Sequence, residues 1–359
     1  MHGNQLITLR DALARQKPSA TCTMAPGPNT RKVSWPEFDD SVTLWSSFNI
    51  QCLNESYGSV LDLPLPAYVA LDLPAVDELH AVDSGSDEGP RQMMAWTNSV
   101  VRPVLTFSKK HLELHKGTAL QFGTSGADWG RRAADIVPQL DARTHIDIVI
   151  GLNDYAQQSL VLGFGRASSR WRPGSIVSDP SKSKGNLLWP LRQLANLCML
   201  AKCRYGYIQT NESLVAVCFA DNPVDKQPAA TIKPVAGGKK VYAQFMPVPW
   251  NTEHGTSGAT LTTEMALWWL CMLSLADRPR GLEPVDKIVP IDTWVLTLLD
   301  DGVTWVRRHY YSGVDQPMAT ESAAALNTGN ITVPPASLSS TNVFGFEFNY
   351  LFDGDTGSL

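Results

Sequence analysis

Long apolar runs are missing from this sequence, and so is any recognisable export signal. The longest such run, Met265 to Leu273, falls well short of the roughly 18 apolar residues that a membrane-spanning helix needs. The stretch from Met1 to Thr8 has no basic region followed by an apolar segment, so no signal peptide is predicted. We therefore expect an intracellular protein, cytoplasmic or nuclear, without a membrane partner.

Charge is also scarce. Only 18% of the 359 residues are charged, against about 25% in typical globular domains, which favours a compact body over a disordered chain. The net charge of −5 gives no overall attraction to nucleic acid. Any binding of nucleic acid would have to depend on a local basic patch.

Three further absences limit the chemistry. None of the six cysteines forms a C-x-x-C pair, so we expect buried free thiols in a reducing compartment rather than a disulfide framework. His111 and His115 are spaced for one helix face, but their segment offers no third ligand, which argues against zinc. Gly163-Phe164-Gly165 lacks the third glycine and the Lys-Ser/Thr of a phosphate loop.

The chain divides into three regions. Residues 1–35 are polar and rich in proline, and they predict an arm or a poorly ordered lead-in. Residues 36–280 predict one α/β domain with its core at about 92–275, and residues 281–359 predict a C-terminal extension or tail. Ser34 and Glu37 have the spacing of a capping box and predict a helix start, whereas the prolines of residues 59–80 indicate extended structure.

Four further segments give local predictions. The acidic, glycine- and serine-rich segment 83–90 predicts a mobile loop, and residues 92–114 predict helical structure interrupted near Pro103. Residues 116–144 are predicted to be rich in loops, and residues 295–299 to form a short element.

The core shows alternating strand and helix patterns. A strand is predicted at Ile146 to Ile150, another at Leu160 to Arg166, and a helix at Leu187 to Cys203 with Pro190 in its first turn. Further strands are predicted at 205–209, 214–219 and 241–248, and a buried helix at 261–275. These patterns predict an α/β fold in which helices flank a mixed central sheet.

Several segments of the core resemble a known family. They are Pro190-Leu191-Arg192-Gln193-Leu194-Ala195, Arg204-Tyr205-Gly206-Tyr207-Ile208, Glu212-Ser213-Leu214-Val215, Val248-Pro249-Trp250 and Ala266-Leu267-Trp268-Trp269-Leu270. Together they resemble an uncharacterised filamentous-fungal branch of the PD-(D/E)XK nuclease-like superfamily, over roughly residues 140–275. The resemblance implies a restriction-endonuclease-like core with N- and C-terminal elaborations.

The resemblance also implies a site. In this superfamily one strand ends near an Asp, the next carries Glu/Asp-x-Lys, and the two carboxylates hold Mg²⁺. Some branches add a Gln on the following helix. By this alignment Asp147 takes the first carboxylate position, Arg166 the Lys position and Gln193 the helix Gln position, while Phe164 replaces the second carboxylate.

This replacement predicts a degenerate catalytic site. Phenylalanine cannot bind Mg²⁺, and arginine stays protonated, so it is a poor proton-transfer group. Asp147 alone is expected to bind metal weakly, and without the motif it could be a strand-edge Asp that caps a turn. A rescuing carboxylate could come from Asp154 or Asp179. No cofactor is expected unless the site is active, in which case it would be Mg²⁺.

Basic residues near the implied cleft suggest a second kind of site. The residues are Arg166, Arg170, Arg172, Lys182, Lys184 and Arg192. They could form a phosphate-binding patch for nucleic acid, or they could be ordinary surface charges.

Three functional hypotheses follow. In the first, the chain is a nuclease-like scaffold whose metal site is inactive and which binds nucleic acid or a protein. In the second, it is an active Mg²⁺-dependent endonuclease with a migrated carboxylate, and in the third it is a protein-interaction factor of effector or toxin type.

Overall fold

The structure is a computed structural model that describes residues 7–74, 82–84, 87–124, 136–137, 146–153, 159–178, 186–221, 239–251, 259–276 and 280–317. The chain divides into two compact units. The first comprises residues 1–293 and 309–314, and the second comprises 294–308 and 315–359.

The helices and strands of the described residues are numbered here in chain order. The helices are α1 (Leu9–Leu13), α2 (Ile50–Leu61), α3 (Ala67–Leu71), α4 (Glu88–His111), α5 (Gly174–Ser178), α6 (Trp189–Leu200) and α7 (Thr263–Ala276). The strands are β1 (Ala20–Cys22), β2 (Glu37–Leu44), β3 (Val82–Ser84), β4 (Leu120–Thr124), β5 (Ile148–Leu152), β6 (Ser159–Gly165), β7 (Tyr205–Gln209), β8 (Ser213–Asp221), β9 (Lys240–Pro249), β10 (Trp294–Leu298), β11 (Trp305–His309) and β12 (Asp315–Pro317).

A seven-stranded mixed sheet organises the first unit. Its strand order is β2-β9-β8-β7-β6-β5-β4. The pairs β2/β9 and β6/β7 are parallel, and the other four pairs are antiparallel. Helix α6 lies in the crossover from β6 to β7, as a parallel pair requires. The predicted α/β class, with a mixed central sheet flanked by helices, is confirmed.

Apolar side chains on both faces of the sheet explain this architecture. Strands β5, β6 and β7 are buried along their whole length, which fits their β-branched and aromatic runs. Alternate residues of β5 enter two different buried clusters, so each face has its own core. Helix α7 is buried from Thr263 to Leu275, as its apolar residues on all sides predict.

The N-terminal segment belongs to this core, which corrects the expectation of an arm. Leu9 and Leu13 of α1 are fully buried in the larger apolar cluster. Lys17 is buried as well, and its Nζ lies 2.8 Å from Oε2 of Glu264 on α7. Trp250 Nε1 donates to the carbonyl oxygen of Pro18 at 2.8 Å. Residues 7–18 therefore pack into the domain through apolar burial and an internal ion pair.

Three local expectations were wrong. Residues 37–44, expected to start a helix, form β2, because this segment pairs in parallel with β9. The proline-containing stretch expected to be extended contains the end of α2 and all of α3, with Pro66 as the N-cap of α3. Residues 116–144, expected to be loops, contain β4, which pairs with β5.

The helix predicted from Gln92 to Leu114 is present, but the interruption expected near Pro103 is not, because α4 runs unbroken from Glu88 to His111 with Pro103 inside it. Five of the six cysteines are buried, Cys22 is half-buried, and all six are free thiols. Within the described ranges, no helix has the length and apolar character to cross a membrane.

The second unit contains a small three-stranded sheet of order β10-β11-β12. The element predicted near Val295 is β10. β11 and β12 are antiparallel, and Arg308 forms an ion pair with Asp315 across them at 2.7 Å. Asp301 accepts hydrogen bonds from the backbone nitrogens of Val303 and Thr304, which stabilises the turn after β10.

Candidate functional site

The three residues assigned to the implied catalytic site converge at one end of β6. Asp147 directly precedes β5, and Arg166 directly follows β6, the neighbouring antiparallel strand. Gln193 lies on α6, in the crossover that follows. All three side chains are buried. This end of the sheet thus brings together residues that are widely separated in sequence.

Asp147 already has a partner at each carboxylate oxygen. Its Oδ2 accepts from the backbone nitrogen of Gly165 at 2.7 Å, and its Oδ1 accepts from Nε of Arg91 at 2.9 Å. Arg91 also forms an ion pair with Glu88 at 3.3 Å. Although burial lowers the pKa of Arg91, the nearby Asp147 and Glu88 raise it above its ordinary value. The negative charge of Asp147 is therefore balanced inside the protein.

Phe164 and Arg166 occupy the other two motif positions. Phe164 is fully buried and belongs to the apolar cluster that also contains Leu191 and Leu194 of α6. The guanidinium carbon of Arg166 lies 5.5 Å from the centre of the Phe164 ring. At this position the chain thus places an aromatic ring in the core and a cation above it.

Gln193 and the acidic residue Asp87 surround Arg166. Nη2 of Arg166 donates to Oε1 of Gln193 at 3.1 Å, so Gln193 faces the site rather than solvent. Burial lowers the pKa of Arg166, and the neighbouring carboxylates of Asp87 and Asp147 act in the opposite direction. Arg166 is a protonated hydrogen-bond donor here, which fits binding or structural support better than proton transfer.

Sequence analysis did not identify three residues of this site: Asp87, Glu88 and Arg91. Asp87 accepts from the backbone nitrogen of Ala167 at 3.1 Å and from Nη1 of Arg170 at 3.0 Å. With Glu88 and Arg91 it completes a charge-balanced group that we call the Asp147 cluster: Asp87, Glu88, Arg91, Asp147, Arg166 and Arg170. The sequence signal was the acidic segment 83–90, which was predicted to be a mobile loop; Asp87 and Glu88 instead open helix α4.

The predicted basic patch is only partly within the described residues. Lys182 and Lys184 lie outside them. Arg172 is the most exposed of the four arginines, with 64% of its side chain accessible, and it forms an ion pair with Glu212 at 3.0 Å. Arg192 instead faces the N-terminal segment. Its guanidinium donates to the carbonyl oxygens of Trp35 and Pro36 at 2.8 and 2.7 Å.

These contacts bear on the phosphate-binding prediction. Each of the four described arginines of the patch already binds an acceptor in this chain, and Arg166 and Arg192 have little accessible side chain. A phosphate would have to compete with Asp87 for Arg170 and with Glu212 for Arg172. The role of these residues in nucleic-acid binding stays a prediction.

The donor set of the Asp147 cluster does not fit Mg²⁺. This ion takes oxygen ligands in octahedral geometry, with carboxylates as its usual protein ligands. Both oxygens of Asp147 are hydrogen-bonded, and Phe164 offers no oxygen. Among the residues that the structure describes, no three His, Cys, Asp or Glu side chains come together as metal ligands. Asp154 and Asp179, the possible substitutes, lie outside those residues.

Comparison with models of known protein families finds no match, and comparison with curated proteins finds none. The likeness to the PD-(D/E)XK nuclease-like superfamily therefore stays a prediction from the motif residues.

Proposed function

We propose that this chain is a nuclease-like scaffold protein that does not cleave phosphodiesters and that acts by binding a nucleic acid or a protein. The observation that carries this proposal is the state of Asp147. Its carboxylate is paired with Arg91 and accepts a hydrogen bond from the backbone nitrogen of Gly165, next to a buried Phe164 where a second carboxylate would be needed.

The chemistry argues against hydrolysis. Metal-dependent cleavage needs oxygen ligands that hold Mg²⁺ against the phosphate and generate a nucleophilic hydroxide. To offer even one ligand, Asp147 would have to leave Arg91, a half-buried cation that would then lose its main partner. Arg166 cannot accept a proton from water at neutral pH. The cluster therefore supports a structural or binding role.

Nucleic acid is the ligand that the resemblance favours. Arg170 and Arg172 follow the Asp147 cluster in the chain, and both keep part of their side chains accessible. Since both are paired with carboxylates, we expect binding to be modest and strongly salt-dependent. A protein partner is the second candidate, because α3 exposes two large apolar side chains, Tyr68 at 60% and Leu71 at 85%.

A cleavage assay tests the proposal directly. The full chain would be incubated with single- and double-stranded DNA and RNA, in Mg²⁺ and separately in Mn²⁺, beside Asp147→Ala as the control for contaminating nuclease. We expect no cleavage that depends on Asp147. Cleavage by the parent chain that is lost in the variant would overturn the proposal and favour an endonuclease with a migrated carboxylate.

A binding assay distinguishes a nucleic-acid ligand from a protein partner. We expect fluorescently labelled DNA or RNA to bind at low salt and to lose affinity on Arg172→Gln and Lys184→Gln, with Lys116→Gln as a matched exposed control. Binding that is equal in all three variants would remove these residues from the interface. No binding, together with a stable co-purified protein that Leu71→Asp releases, would favour the protein-interaction factor.

A further inference from the structure

A large cavity lies along α4, on the side of the helix that faces α3 and β4. Its volume is about 1030 Å³, just above the range of about 300–1,000 Å³ for small-molecule sites. Its lining on α4 runs from Glu88 to Lys110, a separation of about 33 Å along a helix axis. The cavity is therefore elongated, and a long ligand fits it better than a compact one.

The wall of the cavity is mixed, with apolar and aromatic side chains from four elements between polar ones. The apolar residues are Tyr68 and Val69 of α3, Met94, Ala95, Pro103 and Phe107 of α4, Phe122 of β4 and Ile148 of β5. Apolar surface combined with placed polar groups is typical of sites for small organic ligands. The apolar part of this wall favours a ligand with a hydrocarbon body.

The charges of the cavity are distributed unequally. Near Asp147 and Glu88, Arg91 forms ion pairs with both carboxylates, so the cation at that end is already paired. Further along α4, Arg102 and Lys110 line the cavity with Thr106 between them, and all three are exposed.

Arg102 and Lys110 form no ion pair with any described residue. The guanidinium of Arg102 lies over the Phe122 ring, with its carbon 5.6 Å from the ring centre. Asp72 also lines the cavity but forms no ion pair with either cation. This end therefore keeps two positive charges available beside aromatic rings.

We propose that this cavity binds an elongated apolar carboxylate, with the carboxylate at Arg102 and Lys110 and the hydrocarbon body along Ala95 and Met94 toward Ile148. The guanidinium fork of Arg102 matches a carboxylate, and Lys110 adds a second donor. Burial of the body against the apolar lining supplies most of the affinity. This site goes beyond the proposed function, because its cations lie outside the Asp147 cluster.

Isothermal titration calorimetry of the full chain with monomeric laurate tests the proposal. We expect saturable binding of one laurate per chain. Dodecylammonium, which has the same chain length and the opposite charge, should bind at least tenfold more weakly, and acetate should not bind measurably. Arg102→Gln and Lys110→Gln should each weaken laurate binding by about tenfold, as expected for loss of a charge-assisted hydrogen bond.

Two further variants locate the ligand. Ala95 lines the cavity and is exposed, so Ala95→Trp should fill the space and abolish binding while the thermal unfolding midpoint stays unchanged. Lys116→Gln removes an exposed cation outside the cavity and should leave affinity unchanged. The proposal is overturned if laurate does not bind, if dodecylammonium binds equally well, or if Ala95→Trp binds laurate as the parent chain does.

Discussion

The ion pair between Lys17 and Glu264 offers the sharpest test of how the N-terminal segment is held. Only 2% of the Lys17 side chain and 1% of the Glu264 side chain are accessible to solvent. Lys17 also donates to Oγ1 of Thr263 at 2.8 Å and lies 4.7 Å above the Trp250 ring. Lys17→Met would leave the Glu264 carboxylate buried with hydroxyl donors alone. Removal of one partner of a buried pair costs about 3–5 kcal/mol, and we expect a loss of that size in the free energy of unfolding.

The chain contains a matched control for this experiment. Lys116 and Glu113 form an ion pair of the same length, 2.8 Å, but 68% and 66% of their side chains are accessible. Water screens such a pair, so its contribution is about 0–1 kcal/mol. Lys116→Met should therefore change the free energy of unfolding very little. Because the two ion pairs have the same length, comparing the two variants isolates the effect of burial on stability.

Urea unfolding followed by tryptophan fluorescence and far-ultraviolet circular dichroism provides the measurement. Glu264→Gln and the double variant with Lys17→Met complete a double-mutant cycle. We expect the double variant to be less destabilised than the sum of the two single variants by about 2 kcal/mol or more, because no buried charge remains unpaired. Additive losses, or a cost of Lys17→Met no larger than that of Lys116→Met, would refute the reasoning.

Three further predictions concern stability. A Cβ at Gly163 would lie 2.3 Å from Cε1 of Tyr207, so Gly163→Ala should destabilise by about 3 kcal/mol or more in chemical unfolding. At Gly58 of α2 the nearest atom would be Nη2 of Arg10 at 3.9 Å, so Gly58→Ala should stabilise by about 0.5–1 kcal/mol; a loss would contradict the open space there. Burial lowers the pKa of His309, so the unfolded chain binds more protons and stability should fall as the pH drops below about 6.5. In His309→Gln the free energy of unfolding should depend less on pH between 7 and 5, and an unchanged slope would count against this assignment.

Local sequence patterns were sufficient to predict the strands at the centre of the sheet. Strands β5 to β8 are short apolar runs bounded by turn residues, and each is buried, so periodicity and burial agree. Helix α7 was predicted for the same reason. In these elements the preference of the segment and its tertiary environment favour the same structure.

Sequence reasoning failed where pairing with a distant segment determines the secondary structure. The spacing of Phe38, Val42 and Trp45 suits a helix, yet the segment forms β2 because β9 offers a parallel partner far along the chain. The prolines before α3 suggested extended structure, although Pro66 at an N-cap is compatible with a helix start.

The candidate site shows the same division. The resemblance placed Asp147, Arg166 and Gln193 in one site, and the structure brings these residues to the same end of β6. The resemblance gave no indication of Arg91, which contacts Asp147 although the two residues are 56 positions apart in the sequence. An ion pair between two elements leaves no local pattern, so the balance of charge at Asp147 is visible only in three dimensions.

The docking of residues 7–18 also constrains the order of folding. The partner of Lys17 lies 247 residues later, and the indole that binds Pro18 lies 232 residues later. At a synthesis rate of about 5–20 residues per second, α7 follows Lys17 by on the order of 12–50 s. During that time Lys17 lacks its carboxylate partner, although α1 can already pack against α2 and α4. The apolar contacts of this segment can therefore form well before its buried ion pair.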